Sequence, residues 1–153
     1  MTRTQDVPLS LSARTDLANR NQAKIVSIHC NAVSSPQAHG TEVWCFSKED
    51  KSGNLSEGYR LASSIVKELS ALGLKNRGVK PIYDRKAKQY IARPLWILRK
   101  SIHTAVLIEC GFISNPEEAA KLDIDLDGFN ERLAVAIFKG IDKVLNPKGG
   151  ELS

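Results

Sequence analysis

The sequence predicts an α/β sandwich, a single sheet with helices on both faces. Three observations lead there. Short apolar runs suited to strands alternate with segments of helical periodicity along the chain. One run, "HTAVLIEC", is nearly continuous, as expected of a strand covered on both sides. At 153 residues the chain can enclose one core and is too short for two.

Each element has its own signal. "SLSARTDLANRNQ" reads as a helix with Ser10 or Ser12 as its cap and Leu11, Leu17 and Ala18 on one face. "AKIVSIHC" is a β-branched run suited to a buried strand. "VSSPQAHG" is a loop by its Ser, Pro and Gly content, and "TEVWCF" alternates as a second strand. Tyr59, Ala62, Ile65, Val66, Leu69 and Leu72 recur at helical spacing after Ser56, and Gly73 stops that helix. "RPLWILR" reads as a short strand after a basic stretch of no defined structure. In "SNPEEAAKL", Asn115 caps a helix, Pro116 fits its first turn and Glu118 completes a capping-box pattern. Phe129, Leu133, Ala136, Ile137, Ile141 and Val144 give the last helix its buried stripe.

Composition narrows the function. No stretch approaches the ~20 apolar residues of a membrane span, and "MTRTQDVPLS" has no apolar leader segment. The net charge is +5, concentrated in residues 75–100, where nine Lys and Arg face one acid, Asp84. Such a stretch suits a polyanion such as an acidic cell-wall polymer, or is a solvated loop. It lacks the aromatic-interleaved pattern of a nucleic-acid reader, so no specific nucleic-acid partner is expected. Cys30, Cys45 and Cys110 lie in apolar runs without metal-type spacing, and are expected to be reduced, buried thiols.

Two polar residues stand in costly places. His29 interrupts the end of "KIVSIHC", and Glu109 the end of "TAVLIEC". A carboxylate at the end of a buried strand is penalised by desolvation unless it is paired or used. Strand ends of an open α/β sheet are also where ligands gather. Read alone, a strand-end histidine such as His29 is more often a hydrogen-bonded structural residue, and Glu109 could be the partner of a base.

Seven segments in order, "TRTQD", "LSLSARTDLAN", "SIHCNA", "GTEVW", "NRGVK", "AVLIECGFISNPEEAAKL" and "AVAIFKGI", resemble the zinc-dependent N-acetylmuramoyl-L-alanine amidases of the third amidase class. These are peptidoglycan hydrolases of bacteria and phages. The resemblance implies a three-layer sandwich with a mixed, mostly parallel sheet, and a catalytic domain over residues 1–146 followed by a flexible tail, 147–153. It implies a Zn2+ cofactor, with His29 a metal ligand and Glu109 the catalytic acid/base. The scissile bond would be the amide between the lactyl group of N-acetylmuramic acid and L-alanine. Imidazole is a good neutral zinc ligand, and zinc lowers the pKa of bound water toward ~7. Peptidoglycan is then the partner and the cell wall the place of action, reached by export or by lysis.

The sequence also departs from that pattern. Members of the class open upstream of the segment matched by "MTRTQD", with a strand ending in a ligand histidine and a helix bearing a ligand glutamate. Neither has a counterpart here, so the first strand and helix of the fold are expected to be missing. His39, Cys30 and Glu42 are nearby but none occupies a matching position, His39 and Glu42 being the candidate substitutes, and His103 is expected at the far end of the Glu109 strand. A fragment of an amidase, needing an N-terminal segment or a partner chain, fits this departure. The alternative is a catalytically inactive fragment or remnant that binds cell-wall polymer.

Overall fold

The computed structural model describes residue 2 and residues 5–123 and 126–147. Its elements run in the order α1 (Leu11–Arg20), β1 (Ile25–Asn31), β2 (Thr41–Ser47), α2 (Glu57–Ser70), β3 (Asn76–Asp84), β4 (Gln89–Tyr90), α3 (Trp96–Lys100), β5 (Ala105–Phe112), α4 (Pro116–Asp123) and α5 (Phe129–Leu145). The five strands form one sheet in the order β1-β5-β2-β3-β4. β1 runs parallel to β5 and β2 parallel to β3, while β2–β5 and β3–β4 are antiparallel. The sheet is therefore mixed, with parallel and antiparallel pairings in equal number among the described residues.

The main core lies between the sheet and the α2–α5 pair. Leu61, Ala62, Ile65 and Leu69 of α2 are fully buried against Val43 and Cys45 of β2 and Val106 and Ile108 of β5. Each such Leu or Ile contributes about 1.5–3 kcal/mol on burial. Ser56 starts α2, its hydroxyl accepting from Tyr59 N. The opposite face is covered more thinly. Ile97 and Leu98 of α3 pack on Ala105, Leu107 and Ile82, with Trp44 and Phe46 at the margin. α1 adjoins α3 through Asn19, whose amide donates to Lys100 O (3.1 Å) and accepts from Ile102 N (2.9 Å). Ser10, not Ser12, caps α1, and it buries Thr15 and Ala18 rather than Leu11.

Four expectations are corrected. "RPLWILR" holds the one-and-a-half-turn helix α3, not a strand, because Ile97 and Leu98 on adjacent positions both reach the second core. The basic stretch contains β3, a nine-residue strand that pairs with both β2 and β4. Its Lys, Arg and Pro residues masked the alternation. β1 is a half-exposed edge strand rather than a buried one, with Ile28 59% exposed. Cys30 on that strand is consequently exposed, whereas Cys45 and Cys110 are buried. Residues 148–153 of the expected tail lie outside the described residues.

Gly140 sets the approach of α5 to α2. A Cβ at this position would stand 2.6 Å from Ile65 Cα and 2.9 Å from Ile65 N, backbone atoms that cannot swing aside. Gly140→Ala is therefore expected to separate the helices and lower stability by about 1–3 kcal/mol, read as a drop in the urea midpoint.

Candidate active site

β5 carries the site because it is the most enclosed strand and has neighbours on both sides. Its residue Glu109 is in register with His29 on parallel β1 and with Glu42 on antiparallel β2. Register partners project to the same face of a sheet, so His29, Glu109 and Glu42 stand in a row across three strands. The face is that of Ala105, Leu107 and Trp44, while Cys30 and Cys110 point to the other side by alternation. The two residues that break the apolar pattern of the sequence are thus brought together.

The row is unequal in environment. His29 is exposed, and its Nε2 lies 2.8 Å from Ser27 Oγ, two residues back on the same face. Glu42 is only 4% exposed, yet it is well supplied with donors. Arg77 Nε reaches its Oε2 at 2.9 Å, and Oε1 accepts from Trp44 Nε1 (3.2 Å) and Asn31 Nδ2 (3.3 Å). Three donors, one of them cationic, satisfy both oxygens of Glu42. Glu109 has the reverse surroundings. Its Oε2 is buried and has no hydrogen-bond partner among the described residues. Burial, and then the Glu42 charge, push its carboxyl up to about 7. A neutral acid tolerates that setting where a carboxylate would not.

The loops around the row are fixed from below. Thr41 Oγ1 donates to Glu109 O at 2.9 Å. Glu118 on α4 is buried and accepts from Gly40 N (2.8 Å) with one oxygen and from Phe112 N (2.7 Å) with the other. It ties the start of β2 to the end of β5, and is not turned back on its own helix end as the capping-box spacing suggested. Asn115 does cap α4, accepting from Glu117 N and Glu118 N (both 3.1 Å). Its amide also holds Pro36 O (2.8 Å) in the loop after β1. Gly40 is required by contact as well as by its φ of +104°: a Cβ there would meet Lys75 O at 2.3 Å.

Glu42, Arg77, Asn31, Trp44 and Glu118 were given no chemistry by sequence reasoning beyond the suggestion of Glu42 as a metal ligand. Their signal was nonetheless present, since they are the polar and aromatic letters of "SIHCNA", "GTEVW", "NRGVK" and "SNPEEA". His39 is exposed, its Nδ1 2.8 Å from Gln37 O, and His103 precedes β5 at the end away from Glu109.

A catalytic zinc site takes three protein donors and leaves one position for water. The row supplies one imidazole and two carboxylates, and both oxygens of Glu42 are already engaged. Among the described residues no group of three or more His, Cys, Asp or Glu side chains is disposed to hold a metal ion. The donor set of these residues does not fit zinc.

The model of the N-acetylmuramoyl-L-alanine amidase family matches residues 1–143. The chain belongs to this amidase family. It is 33% identical over 150 residues to the endolysin of Bacillus phage SPP1, covering 97% of this chain and 50% of that protein. It is 30% identical over 140 residues to the germination-specific N-acetylmuramoyl-L-alanine amidase of Bacillus subtilis strain 168, covering 91% of this chain and 52% of the relative. The solved catalytic domain of the amidase CwlV from Bacillus (Paenibacillus) polymyxa var. colistinus superposes with a TM-score of 0.73 at 30% identity, over 96% of this chain and 72% of that one. The chain spans between 25% and 60% of the length of the curated relatives it matches. The α/β architecture expected from the sequence is that of the amidase catalytic domains.

The Glu109 shift has a consequence for stability. Its folded pKa, about 7, lies above the ordinary 4.5, so between these values the folded state binds more protons than the unfolded one. Stability is then full below the lower value and declines as pH rises through about 7. The upper bound is about 3 kcal/mol, reduced by water reaching the exposed side of the site. Glu109→Gln is expected to flatten this decline in the metal-free chain, leaving it more stable than the parent at pH 8 and little changed at pH 4.5. Urea unfolding at the two pH values measures the difference.

Proposed function

We propose that this chain acts on peptidoglycan, at the amide joining the lactyl group of N-acetylmuramic acid to L-alanine, with Glu109 as the proton-transfer residue. The reading is supported by the family match over residues 1–143 and rests most on one observation: Glu109 keeps a buried, unpartnered carboxyl oxygen beside His29 on an open face. A carboxyl group poised near neutrality serves both halves of amide hydrolysis. As the carboxylate it accepts a proton from the attacking water, and as the acid it returns one to the departing amine. Glu42 is held in place beside it by Arg77, Asn31 and Trp44. His29 is the residue we assign as a metal donor. Since its neighbours do not complete a zinc site, no step of this reading passes through the metal. The cell wall is the place of action on this reading.

The shortage of donors favours a second reading, in which this polypeptide alone binds cell-wall polymer without cutting it. One experiment separates the two. Purified sacculi are incubated with the chain, with and without zinc, and new L-alanine amino termini are counted by end-group labelling. The enzymatic reading expects their release, reduced by a factor of about 100–10,000 in Glu109→Gln. Co-sedimentation with sacculi, indifferent to chelator and without new amino termini, supports the binding reading instead.

Zinc content gives an independent measure. After equilibrium dialysis the chain is expected to retain well under one equivalent, and His29→Ala to lower what remains while Glu109→Gln leaves it unchanged. A full equivalent in the parent chain would show that its own residues suffice.

A further inference from the structure

We propose that Arg77 reads a free carboxylate on the substrate, the one carried by the second amino acid of the peptide stem. The inference rests on the peptidoglycan reading above and names a feature of the substrate that the reading leaves open.

Arg77 does more than neutralise Glu42. Its guanidinium meets Glu42 through Nε (2.9 Å), and Nη1 lies 3.5 Å from His39 O, a long and weak contact. Among the described residues Nη2 has no partner. The plane of the group is set by the Phe112 ring, whose centroid is 4.8 Å from Arg77 Cζ. The side chain is 33% exposed although its carboxylate partner is 5% exposed. A buried carboxylate needs only one cation, and a group closed over it would serve. Here the fork is clamped along one edge and stacked below, in a side chain one-third exposed whose Nη2 is unengaged among the described residues. That is a preorganised carboxylate receptor: the side-chain entropy that an arginine normally loses on binding is already lost in the fold.

Position supports the same partner. Arg77 sits one strand beyond Glu42, which is itself in register with Glu109. Strands are about 4.8 Å apart, so Arg77 lies roughly two spacings, ~10 Å, from the proton-transfer residue. An extended peptide advances about 3.5 Å per residue, which puts the second residue's α-carboxyl ~7 Å from the scissile amide. The reach of the arginine side chain closes the difference. In the stem that second residue is a glutamate whose α-carboxyl is either free or amidated. A fork of N–H donors accepts the carboxylate and loses half of its pairing with the amide.

The test is a titration of the full chain with two otherwise identical ligands, N-acetylmuramoyl-L-alanyl-D-glutamate and N-acetylmuramoyl-L-alanyl-D-isoglutamine, followed by 15N NMR including the Arg77 Nε resonance. The expected result is about tenfold tighter binding of the free acid, with the Arg77 resonance shifted by that ligand. R77K retains a cation for Glu42 but not the fork, and is expected to cut the preference to about threefold or less. Equal affinity of the parent chain for the two ligands overturns the proposal while leaving the peptidoglycan reading in place. An undiminished preference in folded R77K overturns it as well, by assigning the carboxylate to another cation. Absence of binding by either ligand removes the peptidoglycan reading and this proposal together. The parent chain's ratio decides the matter should R77K fail to fold.

Discussion

The arrangement of this site follows from two carboxyl groups being forced into adjacent positions on one sheet face. Glu42 and Glu109 are register partners on β2 and β5, and both are shielded from water to a large degree. Two ionised carboxylates cannot share such a surface without a large electrostatic cost. The fold resolves this by asymmetry. Arg77, Trp44 and Asn31 converge on Glu42, and nothing among the described residues is offered to Glu109 Oε2. The donors are thereby gathered on one member, and the other is left with a carboxyl pushed up by burial and by its neighbour. Removing Arg77 outright would leave a buried charge uncompensated, a change that costs about 3–5 kcal/mol in comparable settings.

The surrounding structure serves to hold that row in register. The row draws on β1, β5 and β2, which are distant in sequence, so it exists only if the connecting loops end where they should. Glu118 and Asn115 do this from the start of α4: one carboxylate and one amide reach the β5 terminus, the turn before β2 and the loop after β1. These are backbone-directed bonds. They fix where the chain passes, and they leave the side chains on the open face unconstrained. Gly40 completes the arrangement by allowing β2 to begin against the Lys75 carbonyl.

How much of this could be read from the sequence depended on whether the decisive information was local. β5 was legible because a strand covered on both faces must be apolar throughout, and α2 because its periodicity is long and regular. His29 and Glu109 were legible as polar interruptions of apolar runs, and their convergence followed from their both lying at strand ends. α3 was misread because five residues cannot show a period. β3 was missed because Arg77, Lys80 and Pro81 break any apolar alternation within it. Glu42 and Arg77 looked like any two solvated charges, being 35 positions apart; only the pairing of β2 with β3 makes them partners. Glu118 was assigned to its own helix end by a sound local rule, but the Phe112 and Gly40 amides claim it in the folded chain.

The exposed border of the sheet has a consequence for handling the molecule. β1, "IVSIHCN", contains no lysine, no proline and no charged residue to discourage another strand from pairing along it. Its Ile28 side chain adds apolar area at the same rim. Proteins ordinarily guard such rims, because an unguarded one templates intermolecular β-pairing. β1 is accordingly the border of the described sheet along which another strand could pair. That contact would begin within one residue of His29, so self-association and access to the row compete for the same space.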